Sequence, residues 1–455
     1  MKVLLMTPIS GFVELPPNIP DLGLGYIAAS LKDSSHNVII MDWAMKLSSG
    51  DFKSWLAANK PELIGIKVFT KDVSAAKKTI SIIREIIPEV IIVIGGPHPS
   101  AVDPIRLMED FTKCDFAIKG EAEISFSSLL TEISERKKNS DREFINKVRA
   151  IKIPGLVWRD KDGVFANPIS LCHNLNKFKF PPWEIMDPNN YTINMLGSEK
   201  QGATAPIITT RGCPGKCTFC SAHNISGRKI RSRSPENVFK EMSILYSKYS
   251  VKKFMFMDNC FTANKKHLKM ICKMIVNDRM NVEWDCSSYE NLDNLTHEML
   301  ALMYDAGCRM IHMGIESGSE HTRKAMNKLS DLSDIEKKIK LIKKNKIKIG
   351  AWFMIGFPEE TKKEMNKTIK YAFSLNPDLL TFTIAYPLPG TEIYNYIKDK
   401  YKFQNIDWSN FDIYNSEYPL SELSSKKLTW LLKTIRIRIR IHSKLKKISS
   451  ILIRK

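Results

Sequence analysis

Thr209-Thr210-Arg211-Gly212-Cys213-Pro214-Gly215-Lys216-Cys217-Thr218-Phe219-Cys220 packs three cysteines into eight residues. The run follows an apolar stretch (Ala205, Pro206, Ile207, Ile208) that reads as a strand. Three thiolates on a loop bent by glycine and proline can wrap one face of an iron–sulfur cube, which ordinarily takes four cysteines. No fourth cysteine has matching spacing, so one iron would stay open to a further ligand. An open metal position marks a catalytic rather than a structural site. Clustered cysteines can also be buried apolar side chains or half of a zinc site. Zinc would want a fourth ligand close by, and His223 is the nearby candidate.

The spacing, with three residues between the first pair, two between the second and an aromatic before the last, resembles the radical S-adenosylmethionine (SAM) family. The resemblance implies a 4Fe-4S cluster on Cys213, Cys217 and Cys220, whose open iron chelates SAM. It also implies reductive cleavage of SAM to a 5′-deoxyadenosyl radical.

The 455 residues suit two to three domains. Nine cysteines with a single tight cluster argue against a disulfide framework and for a reducing compartment. Met1 to Met6 is too short for a signal sequence, and no stretch approaches a membrane span, so a cytoplasmic protein is expected. The net charge of +20 would ordinarily point to nucleic acid or an anionic membrane. Lysine is spread evenly beside abundant Ile and Asn, without an aromatic-interleaved basic patch, so no specific nucleic-acid partner is expected. The C-terminal tail is the exception.

Residues 1–135 alternate short apolar runs (Val3–Met6, Val38–Met41, Leu63–Val68, Val90–Ile94, Phe116–Ile118) with helical patterns at Gly25–Lys32, Val73–Ile87 and Ile105–Phe111. Such alternation predicts a doubly wound parallel sheet, which binds ligands beyond the carboxyl ends of its strands. Glycines there admit a ligand to the backbone. Val93-Ile94-Gly95-Gly96-Pro97-His98-Pro99 and Lys119-Gly120-Glu121-Ala122-Glu123 resemble the cobalamin-binding domain that precedes many radical SAM domains. The resemblance implies a cofactor site at Gly95, Gly96, Pro97, Gly120 and Glu121. It departs in one respect: Pro8-Ile9-Ser10-Gly11-Phe12 stands where mutases carry an axial-histidine loop. Cobalamin would then bind without a histidine on cobalt, with His98 a loop residue; the alternative is a degenerate sheet that has lost the cofactor.

Residues 136–150 are charged and read as a link. Gly155–Arg159 and Val164–Pro168 flank Asp160-Lys161-Asp162-Gly163, a hairpin signal. Residues 171–203 are rich in Pro and Asn and read as a connector.

Residues 204–395 return to alternation, with strands expected at Pro206–Thr210, Lys253–Met257, Val282–Cys286, Met310–Gly314, Ile349–Ile355 and Leu379–Tyr386. Six strands with intervening helices suit a partial (β/α)6 barrel with its chemistry at the carboxyl ends. The radical SAM resemblance covers this stretch in order. It places Phe219 beside the adenine, Asp258 and Asn259 near the SAM amino group, and Glu316 and Ser317 near the ribose and carboxylate. It sets Ile355, Gly356 and Glu359 under the adenine. The family's common Gly-Gly-Glu is absent at Asp258-Asn259. Taken singly, Glu316 could cap a helix and Gly356 could simply turn the chain.

Cys114, Cys172, Cys260, Cys272, Cys286 and Cys308 lie singly and read as core thiols; Cys260 could also face the active site. Residues 421–455 repeat Leu and Ile (Leu428, Leu431, Leu432, Ile435, Ile439, Leu445) between Arg436, Arg438, Arg440, Lys444 and Lys446. A basic amphipathic segment can lie on an anionic membrane or pack on the barrel with a solvated face. Ile435–Ile441, alternating with Arg, also fits a strand.

The expectation is an α/β chain of four parts: a Rossmann-like cobalamin-binding domain (1–150), a hairpin and linker (151–203), a radical SAM partial barrel (204–395) and a helical region with a basic tail (396–455). No catalytic residue beyond the cofactor ligands can be named. The resemblance implies methylation of an unactivated carbon of a small molecule or lipid, with a flavodoxin or ferredoxin as one-electron donor. A cyclisation, oxidation or ring contraction is the second enzymatic reading. A basic membrane or nucleic-acid adaptor is the non-enzymatic one, against which the intact cysteine trio weighs.

Overall fold

The computed structural model describes residues 1–9, 19–32, 36–42, 48–138, 152–191, 202–287, 292–328, 330–402, 408, 414, 418 and 420–453. Ser10, Gly11 and Phe12 of the first-strand loop, and the charged run from residue 139 onward, lie outside the described residues. The chain forms two compact units. The first holds Met1–Pro214, Ser221–Asn259 and Asn277–Glu283; the second holds Gly215–Cys220, Cys260–Val276 and Trp284–Lys455.

In the first unit β1 (Lys2–Met6), β2 (Asn37–Met41), β3 (Leu63–Lys67), β4 (Ile91–Gly95) and β5 (Phe116–Ile118) pair in parallel in the order β2-β1-β3-β4-β5. These runs are apolar at nearly every position, as a sheet covered on both faces requires. Val3, Leu5, Val93 and Phe116 pack with Leu24, Phe126, Leu129 and Leu130 from the flanking helices. β6 (Leu156–Asp160) and β7 (Gly163–Ala166) form the expected hairpin. The sequence locates this hairpin but not its partner: β6 adds antiparallel to β5 and so extends the sheet. Trp158 stacks on Phe165 at 5.6 Å across the pair.

β8 (Thr204–Ile207) pairs in parallel with β11 (Lys253–Phe256). The strand expected at Pro206–Thr210 breaks after Ile207. Thr209 and Thr210 donate their amides to the Asp258 carboxylate at 2.6 and 3.1 Å instead of to a ladder. Thr210 then opens β9 (Thr210–Arg211), antiparallel to β10 (Arg231–Ser232).

In the second unit β12 (Glu283–Ser287), β13 (Cys308–Glu316), β14 (Lys348–Ile355) and β15 (Leu379–Ile384) run in parallel as sequential neighbours. All six expected strands of this region therefore form. The final helix spans Ser425–Ile453 and settles the Ile435–Ile441 ambiguity in favour of helix. Leu428, Leu432 and Ile435 are buried, at helical spacing, and the helix lies on β15. Among the described residues no helix is long and apolar enough to cross a membrane.

Candidate functional site

A cavity of about 480 Å³ opens at the carboxyl ends of β1, β3, β4 and β5 within the first unit. Gly95, Gly96, Pro97, Gly120 and Glu121 all line it, as does Asn259 after β11. At Gly96 φ is +102° and a Cβ would stand 3.2 Å from the Val68 backbone, so only glycine lets the turn lie this close. Leu5, Ile66, Ile94, Ile118 and Phe126 make the floor apolar. A flat, largely apolar ring with polar edges fits such a floor. On one wall Lys67 donates to both Asp21 oxygens at 2.9 and 2.7 Å and lies 5.0 Å from the Phe69 ring centre.

No histidine lines this cavity among the described residues. His98 sits in the short helix Pro97–Ala101, not in a loop, and is fully buried. Its Nδ1 lies 3.3 Å from Thr70 Oγ1. Burial pushes its pKa down to about 3, against a weaker upward pull from Asp110. His98 is a neutral packing residue beneath the cavity's glycine turn.

Glu121 does more than line the cavity. Arg231 donates to both its oxygens at 2.7 Å, and Arg211 lies 3.6 Å from the same carboxylate. Arg211 also donates to Glu123 at 2.6 Å, with its guanidinium about 5 Å from the Tyr26 and Phe178 rings. Burial alone would lower the Arg211 pKa, but Glu123 and Glu121 outweigh it and raise it. These two arginines face each other across the β9–β10 ladder, so the loop after β5 is tied to the residue two before Cys213. Sequence reading picked out Glu121 but missed its arginines. Arg211, immediately before Gly212-Cys213, was the available signal.

Asp258 is buried, and its carboxylate is taken up by the Thr209 hydroxyl and the Thr209 and Thr210 amides. Burial raises its pKa, opposed by those hydrogen bonds. Gly212 adopts φ +93°, where a Cβ would stand 2.2 Å from Lys229 O. Cys213 N donates to Gly227 O at 3.2 Å.

In the second unit the segment Gly215–Cys220 is pinned at several points. Thr218 N donates to Met326 O at 3.2 Å, and Thr218 O accepts from Ile393 N at 3.3 Å. Asn327 donates to Lys216 O at 2.9 Å, and Cys220 N to Cys217 O at 3.2 Å. Cys217 and Cys220 are partly exposed on this tight turn. Phe219 packs on the cluster of Met326, Phe357, Ala385 and Ile393, at the ends of β14 and β15. Among the described residues no three His, Cys, Asp or Glu side chains are preformed around a metal. The thiol spacing, the partial exposure and the fixed turn nevertheless have the donor chemistry that a cluster needs.

Glu316 ends β13 at φ +67°, beside a break in register with β14. Its carboxylate lies 3.6 Å from Lys328 Nζ, which also donates to Gly314 O at 2.9 Å. Ser317 is fully buried, its hydroxyl 2.9 Å from Thr368 Oγ1 and accepting from Ser319 N. Ile355 is a core residue. Gly356 turns at φ +78°, and Leu428 of the final helix fills the space its Cβ would take, 2.4 Å away. Glu359 points outward and accepts from Tyr396 Oη at 2.8 Å.

Its neighbour Glu360, missed in the sequence, is the buried member of this loop. It accepts from Gly356 N at 2.7 Å and Phe357 N at 3.1 Å, while Oε1 is buried without a partner. Burial raises its pKa to about 7 against the pull of those amides. The single cysteines Cys114, Cys260, Cys272, Cys286 and Cys308 are buried, Cys260 included, and Cys172 is partly exposed.

Comparison with known proteins agrees with both resemblances. Residues 207–372 match the Radical SAM superfamily, and residues 11–130 match the B12 binding domain. An uncharacterized methyltransferase of Pyrococcus horikoshii is 29% identical over 439 residues, covering 95% of this chain and 91% of that protein. The anaerobic magnesium-protoporphyrin IX monomethyl ester cyclase of Rubrivivax gelatinosus is 26% identical over 417 residues, covering 90% of this chain and 72% of the cyclase. Among solved structures, the cobalamin-dependent S-adenosylmethionine radical enzyme OxsB, with aqua-cobalamin and SAM bound, superposes with a TM-score of 0.75 at 16% identity, over 96% of this chain and 66% of OxsB. The radical SAM methyltransferase TsrM of Kitasatospora setae, with cobalamin and a [4Fe-4S] cluster bound, gives 0.68 at 20% identity over 88% and 78%. Two domains are thus matched in order, a B12-binding domain followed by a radical SAM domain, the makeup expected of a cobalamin-dependent radical SAM enzyme.

Proposed function

We propose that the chain methylates an unactivated carbon of a small molecule or lipid, using SAM, a 4Fe-4S cluster and cobalamin. The observation that carries this reading is the pinned turn Gly215–Cys220, which presents two thiols and Phe219 beside the ends of β14 and β15. Cys213, Cys217 and Cys220 would hold the cluster. When bound, it supplies the electron that cleaves SAM to methionine and a 5′-deoxyadenosyl radical.

Phe219 and the loop from Ile355 through Glu359 would hold the adenine, an apolar plane offered to a flat ring. The Glu316 carboxylate would accept hydrogen bonds from a ribose diol, with Lys328 nearby to bind a carboxylate. Asn259 is the member of its pair that reaches a cavity, while Asp258 would act by fixing the turn before the cysteines. Ser317 would act in the same way on the loop after β13. The glycine-floored cavity of the first unit would hold cobalamin along Gly95, Gly96, Pro97, Gly120 and Glu121. When bound, cobalamin supplies a methyl carrier.

Cyclisation or oxidation without methyl transfer is the second reading, supported by the likeness to the cyclase of Rubrivivax gelatinosus. A one-electron donor such as flavodoxin or ferredoxin is the partner such chemistry needs. Peripheral contact with an anionic membrane is supported by the final helix. It carries no Asp or Glu and exposes Trp430, Ile437, Ile441 and Leu445 along one stripe. Vesicle flotation with anionic and neutral lipid, with and without residues after 420, tests that contact.

The reaction itself is tested by anaerobic reconstitution with SAM bearing a labelled methyl group. Label in the substrate, with 5′-deoxyadenosine formed, is the expected result. 5′-Deoxyadenosine with an unmethylated, cyclised or oxidised product would favour the second reading.

A further inference from the structure

The two faces of the sheet β12–β15 in the second unit differ in a way that an ordinary parallel sheet does not. One row, Trp284, Cys286, Ile311, Met313, Ile349, Ala351, Phe353 and Phe382, is buried. The helices Leu332–Lys344 and Lys362–Ser374 lie on β14, and the final helix lies on β15. The opposite row follows from the parallel register, in which Ser287 pairs with His312, His312 with Gly350, Gly314 with Trp352, and Trp352 with Thr381. Paired residues share a face.

That second row contains Asp285, His312, Gly314, Trp352, Thr381 and Thr383 beside the apolar Met310 and Met354. Both faces of a parallel sheet are normally covered and apolar. Here one face mixes polar and apolar side chains and is partly open: Trp352 is 40% exposed, Gly314 is exposed, and His312, Thr381 and Thr383 are half-buried. An indole left this exposed at mid-strand is wasted as packing, so a ligand is the economical reason for it.

Two features of the row are built. His312 lies across Gly350, where a Cβ would stand 2.4 Å from its Nδ1. That nitrogen is buried without a hydrogen-bond partner, while Nε2 faces Asp285 Oδ2 at 3.5 Å. Glycine at 350 thus lets the imidazole press flat on β14 and turns its other nitrogen to a carboxylate that is itself 3% exposed. The rings of His312 and Trp352 are 6.4 Å apart and inclined at 59°, so a planar group on the indole face has the His312–Asp285 pair at its edge.

We propose that this face is the substrate platform, and that it takes a molecule with an aromatic ring carrying an N–H or O–H donor. The ring lies on Trp352, where stacking favours a planar π system over a saturated one. Its donor reaches Asp285 or His312, and a buried carboxylate left without that donor penalises analogues lacking it. Trp352, His312 and Asp285 are then specificity-determining residues. As an account of turnover this rests on the radical SAM reading; as an account of binding it does not.

The test uses the full-length protein and three probes: phenol, anisole, which lacks the donor, and cyclohexanol, which lacks the ring. Binding is followed by ligand-detected nuclear magnetic resonance. Phenol should bind at least five-fold tighter than either of the others. Trp352→Ala should erase the phenol–cyclohexanol difference, and Trp352→Phe should restore most of it. Asp285→Asn and His312→Ala should each reduce the phenol–anisole difference while leaving the other intact. Equal binding of all three probes, or phenol binding unchanged in Trp352→Ala, overturns the proposal. Cleavage of SAM by the reconstituted protein is measured separately. Its loss with probe discrimination intact would sink the reaction and spare the platform, and the converse result would do the opposite.

Discussion

Arg231 holds both oxygens of Glu121 at 2.7 Å, with the two side chains each 4% exposed. Because Arg231 also faces Arg211 across a two-residue ladder, this pair fastens the loop after β5 to the chain entering the cysteine run. Two arginines and two glutamates share the site, so the charges balance only while all four are present.

Removing Glu121 should therefore cost far more than removing an exposed partner. Glu121→Ala leaves Arg231 buried without its main counter-charge, a loss on the order of 3–5 kcal/mol. Glu184→Ala breaks a bond to Lys32 in which both side chains are more than half exposed, and should cost below about 1 kcal/mol. Chemical denaturation of the two variants checks the contrast. Similar values for both would mean that the buried network is not what fastens the loop.

Cys213→Ala, Cys217→Ala and Cys220→Ala should each lose the four irons expected of a reconstituted cubane (about four per chain) and the cleavage of SAM. Cys272→Ala, at a fully buried thiol, should keep both. Iron analysis and 5′-deoxyadenosine assay decide it: one cluster-position variant retaining both properties would void the ligand assignment.

The parallel sheets were legible because apolar runs of strand length alternate with helical periods, and glycines mark their carboxyl ends. Gly95-Gly96 and Gly356 stand where that reasoning puts them. What could not be read was partnership. Nothing in Leu156–Asp160 says that it joins β5, and nothing in Arg231 names Glu121, more than a hundred positions earlier. Adjacent acids were also indistinguishable: Glu359 and Glu360 differ only in which one the turn at Gly356 folds inward. The platform on β12–β15 was invisible because its residues recur singly at every second position of strands far apart in sequence. Only the register aligns them.

Gly356 joins its loop to the final helix, and a double-mutant experiment can expose that joint. Gly356→Ala meets both a left-handed φ of +78° and the Leu428 side chain. The backbone term is about 1–2 kcal/mol, and overpacking adds a similar amount. Leu428→Ala alone should cost about 2–4 kcal/mol. Combined, the two should be less harmful than their sum, because the truncated Leu428 makes room for the methyl group. Strict additivity in thermal unfolding would show that the contact does not carry the effect.

Cobalamin bound in the first unit should have no protein histidine on cobalt. No histidine lines the cavity among the described residues, and His98 is buried beneath it. Cob(II)alamin bound to His98→Ala should give an electron paramagnetic resonance spectrum identical to that of the parent. Nitrogen splitting present in the parent and removed by the substitution would refute the assignment. Failure of the parent to bind any corrinoid would favour a sheet that keeps the fold without the cofactor.

Glu360 gives the fold a pH dependence of definite sign. Its carboxyl titrates at 4.5 in its ordinary state and at about 7 when buried here. Between those values the folded chain holds a proton that the unfolded chain has released, so raising the pH favours unfolding. The stability linked to this group is complete below about 4.5 and is lost progressively up to about 7. At about 1.4 kcal/mol per pH unit, the loss is on the order of 3 kcal/mol. Glu360→Gln keeps an oxygen for the Gly356 and Phe357 amides but has no charge to bury. It should match the parent near pH 4.5, flatten the slope above it, and be the more stable protein at pH 8. Denaturant midpoints across that range test this; an unaltered slope in Glu360→Gln would move the titration to another group.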